Sequence, residues 1–141
     1  SGWSDAAVTI PWDVYWRTGD IEILAENYPM MTRWIKYHQS QLRDDGISEM
    51  WTVGDWLQPY SKREDSRRGE TDHSLISTAF YARSLDMLAR TAKVLNKPED
   101  HKYYSNYLNK LSRIFSTISL MTMDALKLAS KPKPLIYSPL A

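Results

Sequence analysis

The sequence predicts an all-α protein built from antiparallel αα-hairpins. Apolar residues recur three, four and seven positions apart along four segments, which is the spacing of one buried helix face. No segment shows the strict alternation of a half-buried β-strand. Very short connections join the first segment to the second and the third to the fourth, and short connections favour antiparallel neighbours. We therefore expect two helical hairpins.

The first helix is expected over Ala6–Thr18. Asp5 is its candidate N-cap, and Gly19 marks its end. Pro11 should kink this helix or mark its true start. Its apolar positions, which we assign to the core, are Val8, Ile10, Trp12, Tyr15 and Trp16.

The second helix is expected from Asp20, a candidate cap, to about Arg43, with a bend at Pro29. Its apolar spacing predicts that one face is buried. The residues of that face are Ile23, Leu24, Met31, Trp34, Ile35 and Leu42.

The second hairpin is expected from helices over Asp72–Leu95 and Pro98–Phe115. Asp72 or Thr71 is the cap of the first, and Pro98 suits the first turn of the second. The predicted inward positions are Leu75, Ile76, Ala79, Phe80, Leu88, Ala92 and Leu95 in one helix, and Tyr104, Tyr107, Leu108, Leu111 and Phe115 in the other.

A long segment, Asp44–Thr71, joins the two hairpins. A loop of this length inside a compact domain is usually functional or mobile. Its first half is rich in Gly, Asp and Trp, whereas residues 62–70 mix charges of both signs. We interpret the first half as functional and the charged half as exposed surface.

Two acid–aromatic clusters lie beside the predicted helices and not inside them. Trp3 stands next to Asp5 across one serine, and Asp55 directly precedes Trp56. An indole supplies a flat apolar wall and a carboxylate supplies strong hydrogen-bond acceptors. This pairing at loop positions is what a pocket for a neutral, polyhydroxylated ligand needs, so the sequence indicates a carbohydrate partner.

Composition argues against several other classes of partner. The 18 basic and 17 acidic residues leave a formal net charge of +1, so no global field favours nucleic acid or an anionic membrane. The chain has no cysteine, and its three histidines, His38, His73 and His101, are scattered without metal-ligand spacing. We expect no cofactor and no metal, and we assign the histidines to packing or surface roles. The compartment is left open.

Four blocks of the sequence resemble those of the bacterial α-L-rhamnosidases, a family of glycoside hydrolases. They are GWSDAAVTIPWDVYWRTGD, ENYPMMTRW, VGDWL and TDHSLISTAFYARSLDMLARTAKVLNKPED, and they occur in the order and spacing of that family. The resemblance implies that residues 1–115 are part of a six-hairpin glycosidase domain. Its helices would then be a partial segment of an (α/α)6 barrel.

The resemblance also implies roles for the two clusters. Trp3 and Trp56 would be aromatic walls of a rhamnose pocket. Asp5 would either accept hydrogen bonds from sugar hydroxyls or cap the first helix, and Asp55 would either bind sugar or order its turn. The four expected substrate-binding residues are thus Trp3, Asp5, Asp55 and Trp56. Residues expected at the outer rim are Glu49, Trp51 and Tyr60.

No catalytic residue is assigned in this chain. Enzymes of the family are expected to invert configuration with a carboxylic acid and a carboxylate base. By resemblance, the block with the acid would lie upstream of Trp3 and the block with the base downstream of Phe115. We therefore expect a fragment without turnover. The alternatives are a non-catalytic carbohydrate-binding remnant and a helical-hairpin interaction scaffold.

Residues 116–141 form an atypical tail in which the family resemblance stops. A shifted reading frame can encode strings similar to the family's next blocks, so we interpret the tail as possibly frameshift-derived. Sequencing of the encoding DNA tests this hypothesis. Unpartnered apolar hairpin faces also predict self-association.

Overall fold

The computed structural model describes residues 2–56, 58 and 69–129, with 117–129 described as backbone only. Four helices follow one another: α1, Ala6–Thr18; α2, Ile21–Gln39; α3, His73–Val94; and α4, Pro98–Ala129. Over these ranges the only extended pairing is an isolated bridge between Leu42 and Ser48. The prediction of an all-α fold is confirmed.

The helices pack as two hairpins. Helix α1 packs on α2 and α3 packs on α4, while both helices of the first hairpin also contact α3. Gly19 ends α1 in the left-handed conformation (φ 73°), and its N–H donates to the carbonyl of Tyr15 over 2.8 Å. Directly afterwards the Asp20 carboxylate accepts from the backbone N–H of Glu22 over 2.9 Å and starts α2.

The second hairpin begins and turns by the same kinds of contact. The Asp72 carboxylate accepts from the backbone N–H of Leu75 over 3.0 Å, which confirms Asp72 as the cap of α3. Asn96 adopts a positive φ of 52° in the turn that follows α3. Pro98 then opens α4, where the absence of a proline N–H costs nothing.

Two predicted helix ends were wrong. Helix α2 stops at Gln39 and not near Arg43, because the chain turns back and the N–H of Arg43 donates to the carbonyl of Ile47 over 2.9 Å. Helix α4 runs to Ala129, well past Phe115, since no glycine or proline interrupts it. Residues 130–141 of the predicted tail lie outside the described residues.

The core lies between α2, α3 and α4, with Val8 added from α1. The predicted inward faces of α2 and α4 are confirmed, and the fully or nearly fully buried apolar residues include Leu24, Met31, Ile35, Tyr81, Leu85, Leu88, Tyr104 and Leu111. None of the helices in the described part of the chain is long and apolar enough to cross a bilayer.

The predicted core positions in α1 and at the start of α3 need correction. Trp16 and Ile10 are exposed, because α1 buries only Val8 and Pro11 among its residues. Leu75 is also exposed, at 50%. Beside its buried apolar residues, the inner face of α3 carries hydroxyl side chains, including Ser77, Thr78, Ser84 and Thr91. Apolar periodicity alone misses such a face because its small polar residues count as solvent-facing.

Candidate functional site

The two tryptophans of the acid–aromatic clusters meet in space. Trp3 lies in the turn before α1, and Trp56 lies in the connection between α2 and α3. Their ring centroids are 5.6 Å apart with the planes at 66°, an edge-to-face contact. Trp3 is 70% exposed and Trp56 is 46% exposed. The two indoles therefore form one accessible aromatic corner, which we call the Trp corner.

The Trp3 side of the corner is held by the start of α1. Gly2 has a positive φ of 85°, and its N–H donates to Oδ2 of Asp5 over 2.5 Å. The carbonyl of Trp3 accepts from the N–H of Ala6 over 3.1 Å. These bonds close a turn that projects Trp3 away from the helix.

The carboxylate of Asp5 lies in the core and is fully buried. Its Oδ1 accepts from Nε1 of Trp34 over 3.0 Å and from the hydroxyl of Ser84 over 2.8 Å. Asp5 occupies the N-cap position of α1, but its side chain makes no capping bond, so that alternative was wrong. The carboxylate does not cap α1 because its oxygens bond to α2 and α3 and so join the start of α1 to both helices. A buried charge requires such partners.

The Trp56 side of the corner depends on Gly54. Gly54 has a positive φ of 67°, and its N–H donates to Oγ1 of Thr52 over 3.2 Å. A Cβ at this position would lie 3.2 Å from Nε2 of His73 at the start of α3. Both the backbone angle and the close approach to α3 therefore require glycine directly before the Asp55-Trp56 pair.

Asp55 is half-buried and bonds across the loop to Thr71. Its Oδ2 accepts from the Thr71 hydroxyl over 2.9 Å and from the Thr71 N–H over 3.4 Å. Partial burial opposes ionisation, but the Thr71 bonds outweigh it and hold the pKa of the Asp55 carboxyl below its usual value. Oδ1 is buried and has no hydrogen-bond partner among the described residues. Asp55 is thus an ionised carboxylate with one oxygen bonded to Thr71 and the other buried.

Gly69 packs directly against the Asp55 carboxyl, and a Cβ at Gly69 would overlap it. Two glycines therefore flank this cluster, one before Asp55 in the chain and one across the loop. The small size of both allows the two sides of the loop to approach each other closely.

The other candidates are the expected rim residues and the three histidines. Glu49 and Trp51 are exposed in the loop, and Tyr60 lies outside the described residues. His38 is buried, and Nδ1 of His101 lies 2.9 Å from the carbonyl of Ala89, so both take the packing roles expected of them. In the described ranges no group of acidic or histidine side chains is arranged to hold a metal ion.

The sequence interpretation missed the hydroxyl partners of the site. Ser84 binds Asp5, Thr71 binds Asp55, and Ser77 belongs to a buried network described below. One signal could have indicated the α3 partners: Ser77, Ser84 and Thr91 recur at seven-residue spacing and share a helix face. Thr71 carried no comparable signal.

Comparison with known proteins assigns the chain to a family. A sequence model described as the bacterial alpha-L-rhamnosidase 6 hairpin glycosidase domain matches residues 1–129. An alpha-L-rhamnosidase of Alteromonas sp. (strain LOR) is 50% identical over 117 residues, which cover 82% of this chain and 13% of that protein.

Solved structures agree with this assignment. The alpha-L-rhamnosidase of Streptomyces avermitilis, solved in complex with L-rhamnose, superposes with a TM-score of 0.68 at 32% identity and covers 80% of this chain. The native enzyme of Aspergillus terreus superposes with a TM-score of 0.73 at 31% identity and covers 82%.

The chain spans only 10% of the Streptomyces structure and 14% of the Aspergillus structure. Its two hairpins are therefore a segment of the helical barrel to which the six-hairpin domain of these enzymes folds. The match extends past Phe115 to residue 129, as α4 does. The chain belongs to the bacterial α-L-rhamnosidase six-hairpin glycosidase family.

Proposed function

We propose that this chain supplies one wall of the rhamnose pocket of a larger glycoside hydrolase that removes terminal α-L-rhamnose with inversion. The Trp corner is the observation that carries the proposal. Two accessible indoles at 5.6 Å and 66° present apolar surface in two directions. A deoxy sugar has an apolar ring face and a methyl group, and indoles stack well on such surfaces.

We assign different roles to the acidic residues of the two clusters. Asp55, ionised, half-buried and adjacent to Trp56, is the carboxylate that we assign to accept hydrogen bonds from sugar hydroxyls. Asp5 was expected to bind sugar as well, but it is fully buried and its oxygens accept hydrogen bonds from Gly2 and Trp34. Its contribution to the pocket is therefore chiefly to fix the turn that carries Trp3.

We further propose that the 141-residue chain does not turn over rhamnosides by itself. Inverting hydrolysis needs a protonated carboxyl and a second carboxylate that activates water. Asp55 has a lowered pKa, which does not suit a general acid near neutral pH, and Asp5 is buried among three donors. Neither residue is a candidate for the acid, and by the family resemblance both the acid and the base are expected in other parts of a full-length enzyme.

Calorimetric titration with L-rhamnose tests the binding role. Trp56→Ala should abolish the heat seen with the unchanged chain, because it removes half of the Trp corner. Trp16→Ala is the matched control, since it removes an equally large exposed indole at the other end of α1. Equal, negligible heats for the unchanged chain and Trp56→Ala would reject the binding role.

An aryl α-L-rhamnoside assay on this chain beside the full-length gene product tests the second part. Hydrolysis is expected from the longer protein alone. Binding without hydrolysis is also what a non-catalytic carbohydrate-binding remnant predicts. An inactive full-length product that still binds rhamnose would favour that alternative.

A scaffold role is the other alternative, and one surface favours it. Helices α1 and α2 enclose an open apolar groove, whose lining includes Ile10, Val14 and Met30. All three side chains are exposed by 36% or more. We expect isolated chains to associate through this groove, because burial of apolar surface drives association. Sedimentation should detect a concentration-dependent oligomer that Ile10→Glu dissolves; a monomer at every concentration would contradict the expectation.

A further inference from the structure

A chain of buried hydrogen bonds links α2 to α3 through the loop between them. Nε2 of His38 lies 2.8 Å from the hydroxyl of Ser48, which lies 2.6 Å from the hydroxyl of Ser77. All three residues are fully buried. The backbone N–H of Ser48 also donates to Oγ1 of Thr78 over 3.0 Å. Ser48 is thus fixed to two helices by its side chain and its backbone together.

The segment that follows Ser48 leads directly to the Trp corner. Met50 donates its N–H to the Ser48 hydroxyl over 3.3 Å, and Thr52 is almost fully buried. Thr52 then accepts from Gly54, two residues before Trp56. At the far end of this segment the Asp55 carboxylate bonds to Thr71. The segment 48–56 is therefore held at its two ends, and its first anchor lies in the core.

The surroundings of His38 suit a neutral imidazole. Its ring lies 4.5 Å from the ring of Tyr81 and 5.9 Å from that of Trp34, between centroids. Burial lowers the pKa of His38 to about 4, although the negative charge of Asp5 acts in the opposite direction. A neutral imidazole can donate to the Ser48 hydroxyl or accept from it, so the bond persists at neutral pH.

From these contacts we propose that the His38–Ser48–Ser77 hydrogen-bond chain is a positioning device that sets the orientation of Trp56 against Trp3 from within the core. His38 touches no ligand in this role and acts through Ser48 and the segment 48–56. The consequence for sugar affinity rests on the proposed function. The consequence for the geometry of the two indoles does not.

Circular dichroism of the full chain tests the geometry directly. Two indoles in edge-to-face contact give an exciton couplet, and the difference between the unchanged chain and Trp56→Phe isolates the part that belongs to the Trp corner. His38→Leu should remove most of this part while the helical signal persists. His38→Gln should restore it, because an amide again offers a hydrogen-bonding group to Ser48.

Tyr28→Phe is the matched control for a merely structural effect. It deletes a hydrogen bond of 2.7 Å from the Tyr28 hydroxyl to Asp100, at the other end of the α3–α4 hairpin. It should lower stability without changing the couplet. If His38→Leu fails to fold, Ser48→Ala, which deletes one oxygen atom, takes its place and should likewise reduce the couplet.

Rhamnose titration completes the test. The affinity of His38→Leu should fall roughly tenfold, about the effect of losing one well-placed contact, and that of Tyr28→Phe should not change. An unchanged couplet in folded His38→Leu or Ser48→Ala would overturn the inference. A lost couplet in a chain that binds no rhamnose at all would uphold the positioning role and reject the proposed function instead.

Discussion

The two acid–aromatic clusters have the same residue types in sequence, yet their carboxylates differ in burial and in hydrogen-bond partners. Asp5 is fully buried and its described acceptor bonds go to three donors from three parts of the fold. The half-buried side chain of Asp55 bonds to Thr71 through Oδ2, and its Oδ1 is buried without a hydrogen-bond partner among the described residues. The neighbouring tryptophans nevertheless meet at one corner. The comparison indicates that the Asp5 carboxylate holds three parts of the fold together, whereas the Asp55 carboxylate ties together only the two sides of one loop.

The largest effect should come from removing the buried carboxylate. Asp5→Ala leaves the indole N–H of Trp34, the hydroxyl of Ser84 and the N–H of Gly2 without their partner. Unsatisfied buried donors are costly, so we expect the free energy of unfolding to fall by about 4 kcal/mol. Urea unfolding measures this. A change as small as that of Asp55→Asn would remove the distinction between the clusters.

A somewhat smaller effect should come from buried His38, as a dependence of the free energy of unfolding on pH. The pKa of His38 is about 4 in the fold against 6.5 when unfolded, so the unfolded chain binds the proton more tightly between these values. Stability should therefore rise by about 3 kcal/mol from pH 4 to pH 6.5 and stay level above.

Urea unfolding across that pH range measures the slope. His38→Gln should flatten it, because glutamine does not titrate. Equal slopes in the two proteins would assign the pH dependence to groups other than His38.

Two glycine substitutions distinguish the packing of the loop against α3 from backbone strain alone. Gly54 and Gly19 have similar angles, φ 67° and 73°, but a Cβ at Gly19 would meet nothing within 4 Å. Gly19→Ala should cost about 1 kcal/mol from strain alone, and Gly54→Ala about 2 kcal/mol because His73 must also move. Thermal unfolding compares them. Only Gly54→Ala should also weaken rhamnose binding, and equal effects on binding would contradict a role of the loop.

The smallest change in stability should come from Asp55→Asn, which keeps the shape of the side chain but removes its charge. The urea midpoint should stay close to that of the unchanged chain, whereas rhamnose affinity should fall roughly tenfold with the loss of a charge-assisted acceptor. Since the pKa of Asp55 is below its usual 3.8, binding by the unchanged chain should persist down to about pH 4 and weaken only in stronger acid. Calorimetry at several pH values detects this, and an unaltered affinity in the variant would exclude Asp55 from the pocket.

Much of the fold was predictable because it depends on local chemistry. Asp20 and Asp72 start helices with their own carboxylates, and Gly19 ends one in a conformation that glycine adopts readily. Wrong predictions came from long-range partners. The end of α2 depends on a turn that pairs Arg43 with Ile47, and the exposure of Trp16 depends on which side of α1 has neighbours.

The site was predictable in its residue types but not in its geometry. Trp3 and Trp56 were singled out because an indole beside a carboxylate suits a sugar, and that reasoning needs no coordinates. Their contact at 5.6 Å could not be derived, since it depends on the path of a long loop. The orientation of each carboxylate could not be predicted from the sequence either. The Asp5 carboxylate points inward because Trp34 and Ser84 donate hydrogen bonds to it there.

By itself the sequence determined the helical class, the starts of the helices and the chemistry available to a ligand. These follow from periodicity, capping and side-chain type, which act over a few residues. Only the tertiary structure decided that two separate tryptophans share one corner, that Asp5 is interior while Asp55 is half-buried, and that His38 reaches the loop through Ser48. Each of those outcomes depends on atoms that are distant in the chain, and packing alone brings such atoms within hydrogen-bonding range.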